Sequence, residues 1–402
     1  MAVANILDAY QKGFIDESRL ALSVKKILKA KYLVGLNRYQ PVELDDLLPD
    51  LNDIDADVLH EELYENILTL LKNKREVLPV NDLTATRIAY VKMGDDDASV
   101  FVSTLKKYAR IDLLEINTTL DLKKLKPYDL VIIGYHKSDV SAYRKNDFSL
   151  AQINLITEIA EAKKTDLAVF ESPYVLSKLD GDIPLQALIL AYQNNAFAQS
   201  VTAQAIFGAL PFKGKIPVSV SNTYPVGSGL ETTPLFRLSY GLPEQVGLYS
   251  RILSRIDTLA TAAVEHKVAP GMQVLVARKG KVVYAKNFGY HTYEKQLPVT
   301  DTTVYDLASL TKILATLPMI MKAYQDGKIS MNTRLGALLP ELKNSNKRNI
   351  TVLEILSHYG RLKPWIPFYT STLDYKNKPS ENFFRTKPEG IFNIQVEKNL
   401  YV

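Results

Sequence analysis

The order of apolar and polar residues separates the chain into two patterns. Between residues 84 and 220, short apolar runs alternate with segments of helical periodicity. A fully apolar strand is predicted over 128–133, and a helix is predicted over 150–162. This alternation is typical of a parallel sheet with helices on both faces. We therefore predict a parallel-sheet α/β domain at 84–220.

A second pattern begins after residue 250. An amphipathic helix over 252–266 is followed by strands over 271–277 and 281–289, with a glycine-containing turn between the strands. The preceding region is crowded with proline and glycine, which indicates a domain boundary. We predict a linker at 221–250 and a partial α+β domain at 251–402.

The first 83 residues read as helix and connector. A helix is predicted within 1–36, where Asp16 or Ser18 can cap its start and Gly35 marks its end. Its apolar face needs a partner that this stretch does not supply. Residues 37–83 read as an acidic connector followed by a helix over 59–71. The connector lacks the glycine and terminal glutamate of an EF-hand loop, so a solvated connector is favoured over a metal site.

Composition narrows the function classes. The 402 residues carry a net charge of +5 and no cysteine, which excludes disulfides and thiolate chemistry. Lysines alternate with acidic residues, which favours a solvated surface over a nucleic-acid partner. No apolar run is long enough for a membrane span, and the N-terminus does not resemble a signal peptide. No glycine-rich dinucleotide motif or metal-ligand histidine spacing occurs, so no cofactor and no metal are predicted.

The candidate chemistry centres on Ser309 and Lys312, three residues apart at the start of a predicted buried helix. Residues with this spacing share one helical face. A dry setting would favour the neutral lysine amine, which can then take the serine proton. The S-x-x-K pattern also occurs at Ser23 and Ser103, where polar helical surroundings indicate solvated faces. The alternative for Ser309 is that it merely caps a core helix.

Three further polar residues are weaker candidates. His136 and Glu171 follow predicted parallel strands at the edge where ligands gather, although plain surface loops are the more common outcome. His358 lies in a turn-like setting. A structural role is favoured for His358, because no acidic partner stands at a readable spacing.

Several motifs together resemble the first half of the beta-lactamase-related serine hydrolases, the class C beta-lactamase and D,D-peptidase-like enzymes. They lie at 270–284, 288–289, 309–312, 326–330 and 356–358. The resemblance implies that Ser309 is the acylated nucleophile and that Lys312 is its base. Where the family usually has His-Thr-Ser-Gly-Leu, this sequence has His358-Tyr-Gly-Arg-Leu362. The family's Tyr-x-Asn motif and pocket-lining His/Lys-x-Gly strand are expected beyond residue 402.

The earlier part resembles glycoside hydrolase family three. Residues 204–208 and 213–219 are similar to the end of that family's C-terminal α/β domain, and 13–31 to the last helix of its barrel. The order of parts resembles beta-N-acetylglucosaminidases, of beta-N-acetylhexosaminidase type, fused to a serine hydrolase. This implies hydrolysis of O-glycosidic bonds, a carbohydrate or peptidoglycan-derived substrate, and a periplasmic or cell-envelope location for the parent protein.

We therefore expect a parallel-sheet α/β sandwich domain followed by a partial α+β serine beta-lactamase-like domain. On this interpretation the chain is an internal piece of a cell-wall-directed hydrolase, with residues 1–36 as the last helix of a (β/α)8 barrel. The barrel residues that would perform glycoside hydrolysis are not in the chain, and little or no activity of either kind is expected from it. The alternative is that the serine hydrolase-like region is a non-catalytic binding or structural module and that the glycosidase is the only activity.

Overall fold

The computed structural model describes residues 2–116, 119–138, 147–179 and 183–402. The chain forms two compact units, the first ending at Thr303 and the second spanning Val304–Val402. The strands are β1 Thr69–Asn73, β2 Ile88–Gly94, β3 Ile111–Leu114, β4 Leu130–His136, β5 Lys164–Phe170, β6 Ala187–Leu190, β7 Ser239–Tyr240, β8 Gly271–Arg278, β9 Lys281–Gly289, β10 Gln395–Glu397 and β11 Leu400–Tyr401. The α-helices are α1 Ala2–Gln11, α2 Glu17–Leu33, α3 Leu47–Leu51, α4 Ile54–Ile67, α5 Ser99–Lys106, α6 Leu150–Ala162, α7 Ala196–Ile206, α8 Ser250–Leu253, α9 Arg255–Glu265, α10 Leu317–Gln325, α11 Leu335–Leu338 and α12 Val352–Leu356.

A six-stranded sheet organises the first unit, in the order β1-β6-β5-β4-β2-β3. Neighbouring strands from β6 to β3 run parallel, and β1 is antiparallel to β6. The predicted α/β class is thereby confirmed. The central strands are apolar on both faces because helices cover both sides of the sheet.

Each face of the sheet has its own apolar core. On one face, Ile132 of β4 packs with Phe101 of α5 and Val201 of α7. On the other face, Ile133 packs with Ile156 of α6. Burying each such side chain contributes roughly 1.5–3 kcal/mol. Helix α6 has the predicted bounds, and the capping box of Ser149 and Gln152 explains where it begins.

The edge strand β1 was not anticipated. The sequence predicts one helix over 59–71, but α4 ends at Ile67 and Thr69 begins β1. Leu70 is completely buried. Pairing with β6 satisfies the backbone of β1, and this tertiary contact outweighs the local helical periodicity.

The proline- and glycine-rich segment follows the surface of the first unit. The backbone amide of Leu230 donates to Leu70 O of β1 at 2.7 Å. The side chain of Gln204 on α7 bonds both backbone groups of Tyr240, at 2.7 and 3.0 Å. Arg237 donates to the carbonyl of Val80. Specific polar contacts therefore hold this segment along its length.

The β8–β9 hairpin belongs to the first unit. Lys279 and Gly280 have φ of 51° and 78°, which suits a two-residue turn with two left-handed positions. Strand β7 pairs in parallel with β9, so the three strands form a small sheet. Lys281 Nζ contacts Glu65 Oε1 of α4 and Gln245 Oε1, both at 2.8 Å. This largely buried ion pair joins the hairpin to α4.

The amino-terminal helices leave apolar side chains exposed. Of the two predicted caps, Asp16 is the one that caps α2, by accepting from Arg19 N at 2.6 Å, and Gly35 adopts the left-handed conformation just after the helix ends. Ile27 and Leu28 are nevertheless 56% and 59% exposed. Within the described residues, the apolar face of α2 has no covering element.

Candidate functional site

His136, the last residue of β4, lies fully buried at the carboxyl edge of the sheet. The Tyr90 hydroxyl and His136 Nε2 are 2.8 Å apart, and Nδ1 lies 2.8 Å from Asn194 Oδ1. A neutral ring with its proton on Nδ1 satisfies both contacts, with the tyrosine donating to Nε2. Burial lowers the pKa of His136 to about 4, which keeps the ring neutral at ordinary pH.

The contacts of His136 extend into a network. Asn194 donates to Asp96 Oδ2 at 2.9 Å, and Gln199 donates to Asn194 Oδ1 at 2.8 Å. Phe170 stacks on the imidazole with ring centroids 4.3 Å apart. His136 is thus neither an open ligand contact nor a plain surface loop, but a buried connection between strand ends. The sequence signal for this contact is Tyr90, because a hydroxyl group within an apolar strand needs a buried hydrogen-bond partner.

Glu171 and Asp166 lie on or just after β5 in different surroundings. Glu171 Oε1 accepts from the backbone amide of Ser172 at 2.7 Å, which is a local structural contact. Asp166 is completely buried, and neither carboxyl oxygen has a hydrogen-bond partner among the described residues. Burial raises the pKa of Asp166 to about 7, because the apolar surroundings disfavour its charged form.

The serine segment lies in the second unit and has an unusual backbone. Ser309 occupies a 3-10 turn over Ala308–Leu310, and Lys312 begins a π-helical turn that ends at Thr316. Helix α10 follows, with Pro318 in its first turn. Because proline has no backbone N–H, it suits the start of a helix and disfavours a regular helix running through it. π-helical turns are frequent at functional sites.

The spacing of Ser309 and Lys312 brings the two side chains together. Lys312 Nζ donates to Ser309 Oγ at 3.2 Å. The predicted burial of the following helix is wrong, since Ile313 and Leu314 are 59% and 61% exposed and Lys312 is also exposed. Helical periodicity shows which side chains share an apolar face that would be buried against a partner surface. It does not show whether the described residues provide such a surface.

Asp306 was missed by the sequence reasoning. Its Oδ1 accepts from the backbone amide of Ala308 at 2.9 Å. Ala308 has a φ of 43°, a left-handed conformation that is uncommon for a residue with a side chain. An aspartate two residues before a small residue is a recognisable turn signal that could have drawn attention to this position.

The two chance S-x-x-K matches behave as predicted. Ser103 Oγ donates to the carbonyl of Val100, and Ser23 Oγ accepts from Arg19. In these described hydrogen bonds, neither serine is paired with the lysine three residues later. His358 is exposed and has a φ of 56° where α12 ends, which agrees with a structural role.

The described ranges contain neither a cluster of metal-binding side chains nor a membrane-spanning helix. No group of three or more His, Cys, Asp or Glu side chains there is arranged to hold a metal ion. Among the same residues, no helix combines the length and apolarity needed to cross a bilayer.

Residues 256–388 match the Beta-lactamase family model. The matched stretch includes Ser309 and Lys312, and it confirms the predicted similarity to beta-lactamase-related proteins. A Beta-lactamase from Providencia stuartii is 27% identical over 130 residues, covering 32% of this chain and 33% of the relative. Protein flp of Staphylococcus aureus (strain NCTC 8325 / PS 47) is 30% identical over 106 residues, covering 26% and 21%. The chain therefore spans a third or less of the length of these curated relatives.

Solved structures provide a second comparison. Beta-glucoside phosphorylase BglX has a TM-score of 0.42 and 21% identity, covering 53% of this chain and 40% of that one. A glycoside hydrolase family 3 beta-N-acetylglucosaminidase from Paenibacillus sp. str. FPU-7 has a TM-score of 0.41 and 20% identity, covering 55% and 43%. Scores of this size assign no activity to the chain.

Proposed function

We propose that the chain carries a serine acyl-transfer centre with Ser309 as nucleophile and Lys312 as its base. The observation that carries the proposal is the 3.2 Å contact between Lys312 Nζ and Ser309 Oγ, within a stretch similar to a hydrolase family. Nucleophilic serines are weak until a neighbouring base takes their proton. Here the contact comes from residues three apart across successive turns.

The proposed reaction has two steps. Lys312 Nζ takes the proton of Ser309 Oγ as Oγ bonds to an acyl carbon, and it passes this proton to the leaving group as the bond between the acyl carbon and the leaving group breaks. Water then gives a proton to Lys312 Nζ as it attacks the acyl carbon, and Lys312 returns that proton to Ser309 Oγ as the ester bond breaks and the carboxylic acid leaves. Because both side chains are exposed, water screens the charges that develop, so slow acylation and little turnover are expected.

The alternative proposal is that this region is a non-catalytic binding or structural module. The exposure of Ser309, Lys312 and the apolar residues after them favours this alternative, since reactive sites are normally enclosed. The two proposals differ in whether Ser309 can be acylated.

Labelling with a fluorescent penicillin separates the two functions. Intact-mass measurement of the 402-residue chain is expected to show one slow adduct, which peptide mapping places on Ser309. Ser309→Ala should remove the adduct, and Lys312→Ala should slow its formation about a hundredfold or more, the range expected for a lost general base.

Ser103→Ala is the matched control, because Ser103 has the same spacing to Lys106 on α5. It should label like the unchanged chain. Equal labelling of the unchanged chain and Ser309→Ala, or no labelling of either, would support the non-catalytic module and reject the nucleophile.

We also propose that the whole protein is a cell-envelope hydrolase of N-acetylglucosaminides. The support is the resemblance of residues 204–208 and 213–219 to glycoside hydrolase family three, on a parallel α/β sheet. In this structure Gln204 bonds the backbone of Tyr240, so the motif has a structural role here. No described residue receives a glycosidase catalytic role.

Chromogenic glycosides test this second proposal on the whole protein. Hydrolysis of an N-acetylglucosaminide at least tenfold faster than of the matching glucoside is expected. A preference for the glucoside, or release of sugar phosphate in phosphate buffer, would contradict the proposed reaction. Fractionation of the producing cells, with recovery in the cytoplasm, would contradict the envelope location.

A further inference from the structure

The backbone that presents Ser309 depends on a conformation that few residues adopt without support. Ala308 precedes Ser309 and has a φ of 43°. Left-handed backbone is unfavourable for residues other than glycine, and it persists where neighbouring groups hold it. The surroundings of Ala308 should therefore contain a specific restraint.

Packing does not supply that restraint. Ala308 and its neighbours are exposed, with Leu307 at 48% and Leu310 at 54%. Hydrogen bonds remain as the source of order. Asp306 Oδ1 accepts from Ala308 N at 2.9 Å, and Leu310 N donates to Leu307 O at 2.9 Å. The first bond fixes the entry to the turn, and the second closes the turn around Ser309.

We propose that Asp306 is a positioning residue for Ser309, which rests on the proposed acylation of that serine. By accepting the Ala308 amide, Asp306 favours the left-handed conformation at 308. That conformation sets the direction in which the chain enters the 3-10 turn, and so how Ser309 Oγ is presented to an acyl group, while the contact of Oγ with Lys312 Nζ follows from the three-residue spacing. The role requires an acceptor oxygen at position 306 and does not require a negative charge.

Acylation kinetics of the 402-residue chain test this role. The rate of labelling by fluorescent penicillin at saturation should fall about tenfold in Asp306→Ala, because small displacements of reacting groups cost large factors in rate. The half-saturating penicillin concentration should stay within about twofold, since binding does not need the aligned turn. Asp306→Asn keeps an acceptor oxygen and should remain within about threefold of the unchanged chain.

A second substitution tests the backbone explanation directly. Glycine adopts positive φ at little cost. The double variant Asp306→Ala with Ala308→Gly should therefore label faster than Asp306→Ala alone, by about threefold or more if the restraint acts through residue 308. A double variant no faster than the single one would overturn the proposal.

Asp374→Ala is the matched control. Asp374 Oδ1 accepts from the backbone amides of Lys376 and Lys378 at 2.7 and 2.9 Å, which is a similar turn in the same unit. It should label normally. Equal losses in Asp306→Asn and Asp306→Ala would show that charge is what matters and would overturn the role of the acceptor oxygen. Normal labelling of Asp306→Ala would reject the positioning role alone, whereas absence of Ser309 labelling in the unchanged chain would reject both proposals.

Discussion

The carboxyl edge of the sheet and the serine turn place polar groups in opposite environments. At the sheet edge, His136 is buried and both of its ring nitrogens have partners. At the serine turn, Ser309 and Lys312 contact each other in the open. Buried polar groups must be paired to avoid a desolvation cost, so pairing at the sheet edge is explained by stability alone. Exposed Ser309 and Lys312 have no such desolvation cost to offset, so their contact follows from the three-residue spacing, and its role depends on whether Ser309 can be acylated.

The largest expected effect tests the contrast in burial. Phe170 is completely buried and stacks on His136, so Phe170→Ala should lower the free energy of unfolding by about 3–5 kcal/mol. Leu314 is 61% exposed, and Leu314→Ala should change the free energy of unfolding by about 0.5 kcal/mol or less. Urea unfolding followed by circular dichroism measures the first variant. The single tryptophan, Trp365, reports the second unit by fluorescence.

Leu314→Met is a control that keeps an apolar side chain of similar size. A loss of several kcal/mol in Leu314→Ala with no loss in Leu314→Met would mean that this surface is covered in solution. The contrast between the two regions would then fail.

The next effect separates two buried groups by pH. Between pH 3.8 and about 7, folded Asp166 holds a proton that the unfolded chain releases, so its contribution to stability falls as pH rises. The contribution of His136 to stability instead rises between pH about 4 and 6.5, because in this range the histidine is protonated in the unfolded chain but stays neutral when it is buried. Relative to the unchanged chain, Asp166→Asn should gain up to about 4 kcal/mol as pH rises from 4 to 7.

Hydrogen exchange of peptides covering β4 and β5, read by mass spectrometry, measures this locally. Glu61, whose pKa burial also raises to about 7, changes stability in the same direction as Asp166 and remains in both chains. His136→Gln should show the opposite trend: its stability relative to the unchanged chain should fall as pH rises. A pH-independent difference for Asp166→Asn would mean that Asp166 is ionised in the folded protein.

The smallest effect concerns helix starts and should be equal in the two regions. Ser149 caps α6 in the first unit, and Thr351 caps α12 in the second, each in a capping box. Ser149→Ala and Thr351→Ala should each cost about 1 kcal/mol in their own unit. Ser149→Thr and Thr351→Ser, measured alongside, should cost much less. A large difference between the two alanine variants would show that one box also makes tertiary contacts.

Local signals account for much of what the sequence predicted. The cap at Asp16, the hairpin turn at Gly280 and the apolar run of β4 all act over a few residues. Each can therefore be read before the fold is known. The Ser309–Lys312 contact belongs to the same class, because helical spacing alone brings the side chains together.

Contacts between distant residues account for the rest. Strand β1 forms because Leu70 pairs with β6, more than a hundred residues later in the chain. No local sequence pattern predicts this pairing. The partners of His136 come from β2 and from the loop before α7. The exposure of Ile313 and the left-handed Ala308 likewise depend on which neighbours are present or absent. Periodicity therefore identifies the residues that need packing partners. Which residues serve as those partners can be seen only in the structure.

The ion pair between Lys281 and Glu65 affects where the chain can be divided into stable fragments. Similarity to the Beta-lactamase family begins at residue 256, yet Lys281 makes its contacts with a helix near residue 65 and with Gln245. A fragment starting at 256 would carry this lysine away from both partners. The complementary piece ending at residue 255 would keep the buried Glu61 but lose the Lys281 cation beside it. Shortened versions cut where the homology starts should therefore aggregate on expression, and retaining the preceding sheet should keep them in solution.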